Sequence, residues 1–332
     1  MSWQKQGFFK GKLPAIWKAV AAGFLVLALA TVCGAAGPQK ISITAKLNMG
    51  FRAISAQDPD PKTRNPDYLA EKVGNMDVMR EKTGWTLDFP AMVKRFNQEK
   101  QWTFYYVTAR TKHIDALLKK ELKAGVKQVV IMGAGYDTRG YRFYKEFPKV
   151  RFFEVDLPAM SAEKQKRMKT NLPDMPNNVV YAPIDFNTQD LGQVLASVGC
   201  KLDQKTFFIW EGVIEYLDAS AVESTLQFIA GNSAPGSSVV FDYIPPAVVK
   251  GTFTKDPFAK YLAGFVASLG EPFKFGIDPD KCGGFLKKQG LKQVSNVGHD
   301  YLVKNYMTGS NGKPFGKLPL FFWITQAKVP GK

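Results

Sequence analysis

Two glycines and a series of acids carry the spacing in this chain that could do chemistry. From Val126 to Arg139 the sequence runs Val-Lys-Gln-Val-Val-Ile-Met-Gly-Ala-Gly-Tyr-Asp-Thr-Arg. Val129 to Met132 is a continuous apolar run, the pattern of a parallel strand covered on both faces. Gly133 and Gly135 follow it and remove the Cβ atoms that would hold a ligand off the backbone. About 20 residues on, a second strand-like run ends in Glu154 and Asp156, where α/β folds place an acid on the hydroxyls of a cofactor ribose. Asp185 with Phe186, and Glu211 after Trp210, stand at the ends of a third and a fourth run.

A glycine pair after a strand serves several cofactor classes. A dinucleotide site wants a third small residue three positions after the second glycine, so that the helix can approach the strand and receive a pyrophosphate. Thr138 stands there, followed by Arg139, which disfavours a pyrophosphate. S-adenosylmethionine has none. It needs close backbone approach at the first loop, an acid for the ribose after the second strand and a polar pair at the adenine after the third. Gly133 and Gly135, then Asp156, then Asp185 with Phe186 supply these in order. A nicotinamide-dependent oxidoreductase is the rival reading of the same turn.

The elements that must position these residues alternate. Strand-like runs at 128–132, 151–155, 179–183, 206–210 and 238–243 are separated by helix-length segments at 141–147, 158–172, 191–198 and 219–232. This predicts an α/β fold with a doubly wound, mostly parallel sheet. Runs at 293–297 and 320–327 read as an antiparallel pair that closes it. Upstream, residues 41–53 and the region down to about residue 122 read as helical, interrupted by a proline-punctuated loop at 58–66. The chain divides into a hydrophobic leader at 1–38, a helical N-terminal part of the catalytic domain at 39–125 and a cofactor-binding core at 126–332. Residues 245–288, rich in Phe, Gly and Pro, read as a lid or insertion over the sheet edge.

Charge and rare residues narrow the function. The chain of 332 residues carries 45 basic and 29 acidic residues, a net +16. Seven bases precede the first acid, Asp58, and the other 38 leave about +9, an excess consistent with acidic substrates or an anionic membrane surface. Beyond residue 60 the lysines are dispersed rather than clustered with stacking aromatics, which argues against nucleic acid. Cys33, Cys200 and Cys282 show neither disulfide nor zinc spacing, and His113 and His299 are the only histidines. Residues 19–38 are free of charge, and 20 helical residues rise about 30 Å, enough to cross a bilayer core. This predicts membrane association through a signal anchor with the catalytic domain facing the compartment that makes its cofactor. The alternatives are secretion after signal cleavage and a buried N-terminal helix.

Five stretches in order, Arg110 to Asp115, Gly133 to Arg139, Phe153 to Pro158, Ile184 to Phe186 and Trp210 to Leu217, resemble the leucine carboxyl methyltransferase, or Ppm-type, family of S-adenosylmethionine-dependent O-methyltransferases. The resemblance runs from about Ser42 to Tyr243. It implies S-adenosyl-L-methionine as cofactor and methyl transfer to a carboxylate or hydroxyl oxygen of a small molecule or protein. Carried over by the resemblance, Arg110 pairs with the cofactor carboxylate, Gly133 lines the methionine moiety, with Gly135 beside it in the cofactor-binding turn, and Asp156 binds the ribose. Asp185 and Phe186 frame the adenine, Glu211 lies beside the cofactor, Lys46 faces it from the N-terminal part, and Tyr216 brings an aromatic hydroxyl to the substrate. A carboxylate acceptor needs no general base; a hydroxyl does, and Tyr216, Glu215 or His113 are then candidates. The structural alternatives are plain: Arg139 and Arg142 as solvated helix ends, Asp137–Arg139 as an ordinary surface ion pair, Trp210 as packing. A membrane-tethered binding protein that has kept the fold without turnover is the third functional reading.

Overall fold

The computed structural model describes residues 41–331 except 75, 173, 175, 186 and 187. Seven strands, β1 (Gln128–Met132), β2 (Arg151–Asp156), β3 (Val179–Pro183), β4 (Thr206–Trp210), β5 (Ser238–Tyr243), β6 (Lys292–Val297) and β7 (Trp323–Lys328), form one sheet in the order β3-β2-β1-β4-β5-β7-β6. The first five pair in parallel, and β7 runs antiparallel to both β5 and β6. The doubly wound α/β sheet expected from the alternation of elements is present, with the antiparallel C-terminal pair as expected.

Alternation along the strands divides the interior into two cores, because successive side chains leave opposite faces of a sheet. Val129, Ile131, Phe207 and Ile209 enter one apolar cluster; Val130, Met132, Phe208 and Trp210 enter the other. Every residue of β1, β4 and β5 is buried, which is why these strands read as mostly apolar runs rather than alternating ones.

The first core is covered by the N-terminal helices α1 (Ile43–Ser55), α2 (Ala70–Val73), α3 (Met76–Thr83), α4 (Phe89–Gln98) and α5 (Thr103–Lys123). Asp88 caps α4 by accepting from the Ala91 N–H at 3.1 Å, and Pro90 sits in its first turn, an arrangement that leaves no helical donor lost to proline. After β1 comes α6 (Arg139–Arg142), then α7 (Pro158–Asn171), α8 (Leu191–Ser197) and α9 (Ala219–Asn232). The helix expected over 141–147 is a single turn starting two residues earlier, because Arg139 and Arg142 are drawn inward to acids instead of lying on a solvated helix.

Residues 245–288 contain α10 (Pro246–Val249), α11 (Phe258–Ser268) and α12 (Cys282–Lys288), followed later by α13 (His299–Tyr306). Phe258, Leu262 and Val266 of α11, at helical spacing, pack into the same core as α1 and α5. Glu271, just past α11, accepts hydrogen bonds from the Ile43 N–H at 2.9 Å and the Thr44 N–H at 3.2 Å, while Ser42 accepts from Ala45. A carboxylate at the donor-rich start of a helix is favourable, so Glu271 ties this segment to α1.

The expectation of membrane association is corrected as far as the described residues go: none of their helices is long and apolar enough to cross a membrane. The segment 19–38 on which that expectation rested lies outside the described residues.

Phe208 is fully buried on the central strand β4. Phe208→Ala should lower unfolding stability by about 3–5 kcal/mol through the cavity it leaves. In urea unfolding the midpoint should fall with an unchanged slope.

Candidate active site

Sheet order reverses between β1 and β4: the chain leaves β1 for β2 and β3, then returns to the other side of β1 as β4. Open α/β sheets bind ligands in the crevice beyond the strand ends at this switch point. A cavity of about 570 Å³ opens there, walled by the Gly133–Asp137 turn, Asp156, Arg110 and Glu211–Val213, and roofed by the start of α1 and by Gly270–Pro272.

The turn after β1 is shaped by Gly133, whose φ is 66° and whose added Cβ would lie 2.6 Å from a methyl of Val213. Both the torsion and the contact exclude a side chain. The Gly135 N–H donates to Asp156 Oδ2 at 2.5 Å and the Leu157 N–H to Oδ1 at 2.7 Å. Each carboxylate oxygen of Asp156 therefore takes one backbone donor and keeps accepting capacity for a further hydroxyl. Burial raises the Asp156 pKa above the usual carboxylate range, against the pull of those two N–H groups.

Arg110 and Glu211 meet at the wall. Arg110 Nε lies 2.9 Å from Glu211 Oε1, and its Nη1 lies 2.6 Å from Asp242 Oδ2. Glu211 Oε2 is 2.7 Å from Arg139 Nη1, and Arg139 in turn engages Asp137 and, at 2.7 Å, Asp115. Burial opposes the charge on Glu211, but Arg139 and Arg110 outweigh it and hold the carboxyl down at about 2. Glu211 is thus a fixed anion, unable to take a proton near neutral pH. Asp242 also accepts from the Tyr106 hydroxyl at 3.0 Å and the Gly212 N–H at 2.6 Å.

A second, smaller chamber of about 50 Å³ shares Thr44, Asn48, Arg110 and Tyr216 with the large cavity and extends under α11. Thr103, Tyr106, Val107 and Arg110 reach it from α5, and Thr44, Leu47, Asn48 and Phe51 from α1. Both sets follow the three-and-four spacing that places side chains on one helix face. The Tyr216 hydroxyl bonds to Thr44, and burial, with Glu215 and Glu271 nearby, raises its pKa well above that of a free phenol. Burial, with Asp242 adding to it, pushes Glu215 up to about 8.

Of the residues singled out from sequence, Gly133, Gly135, Asp156, Arg110, Glu211 and Tyr216 all wall the large cavity. Lys46 does not. Two residues along a helix turn about 200°, so Lys46 sits off the face that Thr44 and Asn48 present, with Lys82, Glu163 and Arg167 as its charged surroundings. Asp185 lies past β3, outside the described cavity wall, its backbone N–H bonded to the Gln189 side chain at 2.9 Å; Phe186 lies outside the described residues. His113 walls neither cavity: its Nδ1 is 3.0 Å from the Tyr306 hydroxyl, and burial lowers its pKa to about 4. Arg139 is 1% exposed, so neither a solvated helix end nor a surface ion pair with Asp137 describes it. Asp242 and Glu271 were not singled out. Asp242 is legible only as an acid inside an apolar strand run, a misfit that marks a buried partner.

The leucine carboxyl methyltransferase family profile matches residues 47–230. YktD of Bacillus subtilis (strain 168), provisionally named an S-adenosyl-L-methionine-dependent methyltransferase, is 31% identical over 194 residues, 58% of this chain and 62% of that protein. A Streptomyces coelicolor protein with the same provisional name is 34% identical over 216 residues, 65% of this chain and 70% of its own length. A Mycolicibacterium gilvum relative, likewise named, is 27% identical over 210 residues, 63% of this chain and 67% of its own. The chain thus spans a little under two thirds of YktD. It belongs to the leucine carboxyl methyltransferase family of S-adenosylmethionine-dependent methyltransferases.

The raised Glu215 pKa has a signed consequence for stability. Between its ordinary 4.5 and about 8 the folded protein keeps a proton that the unfolded chain has released, so this group makes stability fall as pH rises through that window. Glu215→Gln removes the effect. The melting temperature of the variant relative to the parent should rise from pH 5 to pH 9; a flat difference would show Glu215 ionised in the folded protein.

Proposed function

We propose that the chain transfers a methyl group from S-adenosyl-L-methionine to an oxygen atom of its acceptor. The observation that carries this is the cavity at the β1/β4 switch point, with a glycine turn on one side and a hydroxyl-accepting Asp156 on the other, in a chain of this family. The residues fit the cofactor: Gly133 leaves room where a Cβ would collide, and Asp156 keeps lone pairs for two ribose hydroxyls. Bound there, the cofactor supplies an electrophilic sulfonium methyl group.

The chain's own groups then orient and exclude. Glu211, held anionic, favours a cationic ligand beside it. Arg110 offers its guanidinium to the cofactor carboxylate, in competition with Glu211 and Asp242. Tyr216, whose phenol stays protonated and bonds to Thr44, keeps an accepting lone pair at the junction of the two cavities and so can position a hydroxyl acceptor. Alignment of two bound reactants can supply about 7–11 kcal/mol of the barrier, which suits a site where no histidine lies in either described wall.

Calorimetric titration with S-adenosylhomocysteine tests the cofactor: binding is expected, and Asp156→Ala should weaken it by about 1–3 kcal/mol, about 5–150-fold. An unchanged affinity would remove Asp156 from the ribose site. Mass spectrometry of products labelled from isotopic cofactor should place the methyl on oxygen; a methyl on nitrogen or carbon would refute the oxygen assignment.

A further inference from the structure

We propose that the small chamber beneath α11 is the acceptor site and that it takes a neutral hydroxyl compound with a compact aromatic or branched apolar body, deprotonated by Glu215. This rests on the methyltransferase reading above and names its acceptor class. The chamber meets the cofactor cavity at Thr44, Asn48, Arg110 and Tyr216, so a molecule in one faces a molecule in the other across that junction. Its volume of about 50 Å³ is several times the 10–15 Å³ that a single water requires and about a third of the roughly 150 Å³ that encloses a benzene ring, so it seats one edge of a small body whose remainder lies at the junction with the large cavity.

The wall is apolar and largely aromatic: Leu47, Phe51, Tyr106, Leu262, Phe265 and Phe273. Among the described residues three buried polar atoms of this wall lack a hydrogen-bond partner, Glu215 Oε2, Thr103 Oγ1 and Arg110 Nε, and of these only Arg110 Nε is held in an ion pair, with Glu211. Buried polar atoms are ordinarily paired, and a bound hydroxyl would satisfy Glu215 while its apolar body lies against the aromatic wall.

Charge separates a hydroxyl from a carboxylate acceptor. The groups facing Glu215 are Asp242 on β5, Arg110 and Tyr106 on α5, Glu211 after β4 and the adjacent Tyr216. The parts of α1 and α11 in the wall contribute no charged side chain. Arg110, the sole described cation in the wall, is already engaged by two carboxylates. A second anion would be desolvated beside Asp242 and Glu211 without a cation of its own, which is costly. A neutral hydroxyl avoids this, and the local negative excess suits the sulfonium.

The step balances. The acceptor O–H proton passes to the Glu215 carboxylate as the oxygen lone pair forms a C–O bond to the methyl carbon. The S–CH₃ bond breaks, and its electron pair stays on sulfur as the neutral thioether. Glu215 later releases the proton to solvent. Because Glu215 must be ionised to accept it, transfer should rise with pH through about 8.

The test uses the whole chain. S-adenosylhomocysteine is titrated first, then, at saturation, 4-methylphenol and 4-methylbenzoate in separate calorimetric runs. The phenol should bind at least tenfold tighter than the benzoate. Leu262→Trp, which fills the chamber alone, should weaken the phenol at least tenfold while leaving S-adenosylhomocysteine binding within about twofold, a readout that also reports folding. Glu215→Gln should retain phenol binding and lose the rise of transfer with pH. If S-adenosylhomocysteine fails to bind, the cofactor reading falls and this inference with it. If it binds but the phenol does not, or the benzoate binds as tightly, or Leu262→Trp leaves the phenol unaffected, the acceptor site is overturned and the cofactor reading stands.

Discussion

A buried chain of alternating charges holds the site together. Arg52 pairs with Asp67 at 2.8 Å, Asp67 lies 3.5 Å from Arg142, and Arg142 meets Asp115 at 2.6 Å. Asp115 passes to Arg139 at 2.7 Å, Arg139 to Glu211 at 2.7 Å, and Glu211 through Arg110 to Asp242 at 2.9 and 2.6 Å. Every side chain in it is 12% exposed or less. Desolvating so many charges is unfavourable, and removing one partner of a buried pair costs about 3–5 kcal/mol, because the other is left uncompensated. The network is therefore poor evidence of stability but strong evidence of specification. It links α1, the loop after it, α5, α6, the end of β4 and β5, and admits few other arrangements of those elements.

The cofactor cavity inherits its geometry from this arrangement. Arg52 also donates to the Tyr136 carbonyl at 3.0 Å, and Thr138 donates to Asp67, so the far end of the glycine turn is fixed by the same charges. Glu211 is anionic because two arginines flank it, whereas Glu215, four residues on and without such flanking, is protonated at neutral pH. Two carboxylates on one short segment thus take opposite states, and environments that push paired acids apart are how one site assigns distinct roles.

The sheet and its order of elements were legible in the sequence because they rest on local pattern: continuous apolar strands, polar-apolar helices between them, glycine at the first turn. Gly133, Asp156, Arg110 and Glu211 were legible as cavity residues for a related reason, since each sits at a strand end or in a short motif. The charge network was not. Arg110 and Asp242 are separated by 132 residues and Arg52 and Tyr136 by 84, and nothing in local spacing pairs them, so a solvated helix end stayed open as a reading of Arg139. Lys46 misled for the opposite reason. Its type suited a cofactor, but helical phase, fixed by which side of α1 meets the core, turned it aside.

The two cavities share part of their walls, and each is completed by residues beyond the matched region, which bears on what the family can tell. The profile match covers 47–230, which holds the glycine turn, Asp156, Arg110 and the Glu211–Tyr216 segment. The roof and far wall of the small chamber come from outside it: Thr44 before the match, then Tyr261, Leu262, Phe265, Val266, Phe273 and Phe322 after it. Glu271, which fixes that roof to the start of α1, is also outside. The matched part supplies the glycine turn, Asp156, Arg110 and Glu211 to the large cavity, whose roof at residues 41–45 and 270–274 also lies outside it, and the α11 segment and its neighbours complete the small chamber. Family membership therefore speaks for the cofactor, and the acceptor must be argued from the chamber's own size, charge and unpaired atoms.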